Sequence, residues 1–169
     1  TASGGGSAVN ANASVIDIEG TINASGSAAG EIQLYGRNGV TVNGSLLAIS
    51  RLPEQMGGIV SIGTAGTSDG TVNPTYGYEN VQPGNAGSIT FGPKAVINVS
   101  GGSADVGGTV SLRAPLLANG DVPISFGNNA PITGARRVSL VPYAVWSTDD
   151  VLPNGDLAKH FDGLIDPAG

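Results

Sequence analysis

Short stretches in which every second residue is hydrophobic recur along the chain, and glycine precedes most of them. Four copies align: Gly30-Glu31-Ile32-Gln33-Leu34, Gly58-Ile59-Val60-Ser61-Ile62, Gly87-Ser88-Ile89-Thr90-Phe91 and Gly108-Thr109-Val110-Ser111-Leu112, with a degenerate fifth at Val138-Ser139-Leu140. A period of two puts Ile32 with Leu34, Ile89 with Phe91, and Val110 with Leu112 on one buried face, and turns the residue between them outward. The pattern predicts half-buried strands. A second unit, Ile22-Asn23-Ala24-Ser25-Gly26, Val42-Asn43-Gly44-Ser45 and Ile97-Asn98-Val99-Ser100-Gly101, precedes a glycine-led strand each time. Asn, Ser and Gly accept turn conformations, so this unit reads as a strand ending in a tight corner.

A unit this short cannot bury its own apolar face, so several must stack into a solenoid. At about 20 residues per repeat the chain would make about seven to eight coils. The intervals between glycine-led copies are unequal, so some segments must loop out. Residues 64–86 are polar, turn-rich and carry Tyr76 and Tyr78, which predicts an exposed loop. A smaller excess spans residues 51–57. The division expected is residues 1–146 as coils and residues 147–169, with five aspartates near the single His160, as an irregular cap or a link to a following domain. A short helical turn capped by Asp156 is one form residues 154–161 could take.

Composition removes several alternatives. The chain has 169 residues, of which 40% are hydrophobic and 12% charged, so it has the apolar content to fold and lacks the charge of a disordered segment. Its 28 glycines and 10 prolines, with frequent Ser, Asn and Thr, disfavour helix almost everywhere. A net charge of −6, with basic residues scattered apart from Arg136 and Arg137, supplies no concentrated basic face for nucleic acid or anionic lipid. There is no Cys, which excludes disulfides and thiolate chemistry and is compatible with export in an unfolded state. No stretch approaches a membrane-spanning length.

The corner and strand motifs resemble those of filamentous haemagglutinin-like exoproteins, the large adhesins of two-partner secretion. The more specific resemblance lies in Leu112-Arg113-Ala114-Pro115, Gly120-Asp121-Val122, Ile132-Thr133-Gly134-Ala135-Arg136-Arg137-Val138 and Tyr143-Ala144-Val145-Trp146, with residues 160–169 in the same block. It covers about the C-terminal third closely and the rest loosely. The resemblance implies a right-handed parallel β-helix, export through a partner outer-membrane transporter, a secreted or cell-surface location, and adhesion to a host-cell or glycan receptor. It implies no catalytic residue and no cofactor.

Asp17, Glu19 and Glu31 lie close in sequence, but as solvated outward residues they do not amount to the convergent carboxylates of a β-helical polysaccharide-active enzyme. The aspartates near His160 lack the spacing of a calcium loop and read as turn formers, so no metal is expected. A nucleophilic triad has only His160 to draw on, without a nucleophile elbow. Asn12, Asn23, Asn43 and Asn98 fit the Asn-x-Ser glycosylation pattern, and corner asparagines bonding to backbone explain the same spacing. Tyr76 and Tyr78 are the candidate ligand contacts, because aromatic rings stack on sugars and protein surfaces at low entropic cost. Trp146 is expected to pack over the end of the stack. The reading is a structural or adhesive segment, with a carbohydrate-binding module as the alternative and an enzyme as the more distant one.

Overall fold

The structure, a computed structural model, describes residues 7–127 and 131–146. Eleven strands carry the fold: β1 (Ala8–Ile18), β2 (Thr21–Asn23), β3 (Glu31–Val42), β4 (Ser45–Leu47), β5 (Ile59–Thr64), β6 (Ser88–Phe91), β7 (Val96–Asn98), β8 (Gly108–Pro115), β9 (Ile124–Phe126), β10 (Ile132–Thr133) and β11 (Ala135–Tyr143). All pair in parallel. Seven form one large sheet in the order β11-β8-β5-β3-β6-β9, with β1 also on β3, and four form a small sheet in the order β10-β7-β4-β2. The only helical element among the described residues is a 3-10 turn at Pro83–Asn85.

The expected right-handed parallel β-helix is corrected by this arrangement. The large sheet is a curled half-barrel and not an evident right-handed β-helical solenoid. The physical reason lies in β1 and β3. Each runs on through the bend, so that β3 holds β5 along Glu31–Gly36 and β6 along Gly39–Val42. Ala13 pairs with Gly36 and Val15 with Gly39, which leaves one extra residue on β3. Such a bulge bends and twists a strand while the ladder continues on either side. The expected count of layers is corrected too. Along one line of the large sheet Val9 pairs with Ile32, Ile32 with Val60, Val60 with Val110 and Val110 with Val138, which makes five strands. The expected cap at residues 147–169, and the helical turn within it, lie outside the described residues.

The core lies between the two sheets and consists of like residues stacked in columns. One column is Ala11, Leu34, Ile62, Leu112 and Leu140; another is Ile16, Val40, Ile89 and Ile124. Ile18, Val42, Phe91 and Phe126 make a third, in which the two phenyl rings stack at 5.1 Å and 12°. From the small sheet come Ile22, Leu46, Ile97 and Ile132. Ile32, Val60, Leu46, Ile97 and Leu112 are fully buried. At about 1.5–3 kcal/mol for each large apolar side chain removed from water, these columns are the main favourable term in the fold.

Candidate functional site

The outward residues of the large sheet stack in the same way as the inward ones. Asn10, Gln33, Ser61 and Ser111 follow one another across four strands, and Asn12, Tyr35, Gly63 and Arg113 form the adjacent column. Between them runs a shallow groove of about 430 Å³, lined by these eight residues with Ala11, Leu34 and Ile62 at its floor. Gly63 shapes it. A Cβ there would sit 3.2 Å from Tyr35 Cδ2, so the absence of a side chain lets the tyrosine ring lie across the neighbouring strand. Tyr35 remains 39% exposed.

Arg113 marks one end of the groove. Its guanidinium carbon stands 4.5 Å from the centre of the Tyr143 ring, a cation–π arrangement that fixes the side chain. Among the described residues no carboxylate forms an ion pair with Arg113. The Tyr143 hydroxyl donates to the Thr64 carbonyl oxygen at 3.0 Å. Burial holds the Tyr143 phenol above its ordinary range, and the neighbouring Tyr35 phenol adds to the shift, against the Gly66 backbone and Arg113. The groove thus combines an exposed ring, one cation, and a row of neutral amides and hydroxyls.

The loop residues singled out in the sequence divide. Tyr76 is 55% exposed, whereas Tyr78 is 6% exposed and packs between other rings. Tyr76 and Tyr78 stack at 5.9 Å and 3°, and Tyr78 meets Trp146 edge-on at 6.4 Å. Trp146 therefore packs on the loop, where it had been expected over the end of the stack. Tyr78 is an anchor, and Tyr76 alone is presented to solvent. Asp69 organises the rest of the loop: its carboxylate accepts from the Thr71 hydroxyl and the Gln82 amide, and these bonds hold its pKa below the usual carboxylate value.

The acidic residues do not assemble. Glu31 accepts from Gln33 and Glu19 from Asn43, and no group of three or more metal-ligating side chains occurs among the described residues. Asn23 and Asn98 each accept from a backbone N–H two residues on, as corner asparagines do. His160 and the aspartates beside it fall outside the described residues. The groove was missed in the sequence because its two columns draw on strands 23, 28 and 50 residues apart. The available signal was the polar residue between each apolar pair, Gln33, Ser61 and Ser111, read as merely outward. Comparison with protein-family models, curated proteins and solved structures found no match to this chain.

Proposed function

We propose that the chain is an adhesive, surface-presenting segment of a secreted or cell-surface bacterial exoprotein, and that it performs no catalysis. The observation that carries this reading is the outward column of Asn10, Gln33, Ser61 and Ser111 on the large sheet, held in register by the apolar columns beneath it and bordering a shallow groove. A face whose backbone is fixed by parallel ladders has no backbone ordering to undergo on binding, which favours recognition of an extended partner. Glu31 and Glu19 each accept from a neighbouring amide, an arrangement suited to a surface and not to proton transfer. The filamentous haemagglutinin-like motifs between Leu112 and Trp146 favour passage through a partner outer-membrane transporter, and they are the basis for the location proposed.

The test is binding of the intact chain to glycan-bearing host cells, beside a Tyr76→Ala variant and a Tyr35→Ala variant of unchanged circular dichroism. Saturable binding by the intact chain is expected. If cells are not bound at all, the adhesive half of the reading fails and a spacer role takes its place.

A further inference from the structure

We infer that the groove between the Asn10 and Asn12 columns is a binding site for an acidic oligosaccharide that lies across the strands, with a carboxylate of the sugar on Arg113 and a ring face on Tyr35. The inference rests on the adhesive reading above and specifies its ligand.

Three features of the groove select this class. The first is spacing. Neighbouring strands stand about 4.8 Å apart, comparable to the length of one pyranose, so a chain of sugars crossing the sheet meets a new polar side chain at each residue. Asn10, Gln33, Ser61 and Ser111 supply these in order. Amides and hydroxyls both donate and accept, which suits the hydroxyls of a sugar and gives little to an apolar ligand. The second is Tyr35. Its ring lies over Gly63 with part of its surface open, and an aromatic face of this kind covers the C–H face of a pyranose. The third is Arg113. Stacking on Tyr143 holds it in place, and among the described residues it has no ion-pair partner, so its planar fork can take a carboxylate. A neutral glycan would use the first two features and leave the third unpaired. A phosphate backbone is disfavoured, because the groove has one cation where a polyphosphate chain needs several.

The experiment is titration of the intact chain with a galacturonate oligomer, its methyl-esterified form and a sialylated oligosaccharide, followed by calorimetry and by amide chemical shifts. Binding of at least one acidic oligomer is expected, with shifts confined to the groove strands. Esterification and Arg113→Ala should each weaken it by about ten- to a hundredfold, the scale of a lost hydrogen bond to a charged group. Arg113→Lys should recover only part of the loss, Tyr35→Ala should weaken acid and ester alike, and Lys94→Ala, elsewhere on the surface, should leave binding unchanged. No binding of either acidic oligomer, or binding by Arg113→Ala and Tyr35→Ala as tight as that of the native chain, overturns the site. Cell binding that survives both groove substitutions overturns the site and leaves the adhesive reading standing, whereas absence of cell binding by the intact chain defeats the adhesive reading itself.

Discussion

At the scale of single residues, backbone approaches backbone so closely that several glycines cannot be exchanged. A Cβ on Gly108 would meet the Gly58 oxygen at 2.1 Å, whereas one on Gly20 would meet nothing within 4 Å. Gly108→Ala should therefore destabilise by about 1–3 kcal/mol or more, with Gly20→Ala near neutral, as urea unfolding would show. Thr64 is another such point, because its buried hydroxyl donates to the Gly87 oxygen at 2.7 Å and so ties together the two ends of the long loop. Thr64→Val keeps the shape and strands that oxygen, at a cost of about 1–3 kcal/mol, and hydrogen exchange should quicken in the loop first. Tyr143 gives a pH dependence. Its folded pKa lies above the ordinary 10.0, so the fold holds the proton more tightly than the unfolded chain does. The contribution is complete below about pH 10 and is lost as pH rises through the folded value. Urea midpoints measured from pH 9 upward should fall, and Tyr143→Phe should flatten that fall.

At the scale of elements, the alternating pattern was enough to identify strands but not the partner of each. All five glycine-led or degenerate copies fall in strands of the large sheet, yet they are not equivalent. Ile32, Val60, Val110 and Val138 share one column, whereas Ile89 of the Gly87 copy stacks on Val40, further along β3. The corner units divide similarly. Ile22 and Ile97 sit in the small sheet, and the residue between them there is Leu46, while Val42 closes β3. An apolar-polar alternation is the same whichever neighbour it faces, so pairing could be settled only by the bulge at Gly36–Gly39 and by the length of the loop. β1 escaped notice because Ala11 and Ala13 dilute its alternation. The groove was illegible for the related reason that no local stretch contains it. Leu46→Ala, in the middle of the small sheet and fully buried, should cost about 2–5 kcal/mol and lower the thermal midpoint without loss of strand signal at low temperature.

At the scale of the whole molecule, parallel pairing leaves two unlike edges. Among the described residues β1 pairs only with β3 and β11 only with β8. On β11, Val138 and Leu140 stand at the top of buried columns but are 49% and 59% exposed. Asp17 and Glu19 lie at the β1 edge, and Arg136 and Arg137 on β11. Open edges of this kind recruit further strands, which favours head-to-tail contact. Sedimentation velocity should show concentration-dependent association that disappears in Leu140→Lys; a native chain that stays monomeric at high concentration would refute this. The columns also bear on how such a sequence can change over time. Ile62 touches Leu112 directly, fifty positions further along, so a gain of volume at one can be absorbed by a loss at the other. The unit on which selection acts is then the column, and substitutions should arise as compensating pairs spaced by the pairing register.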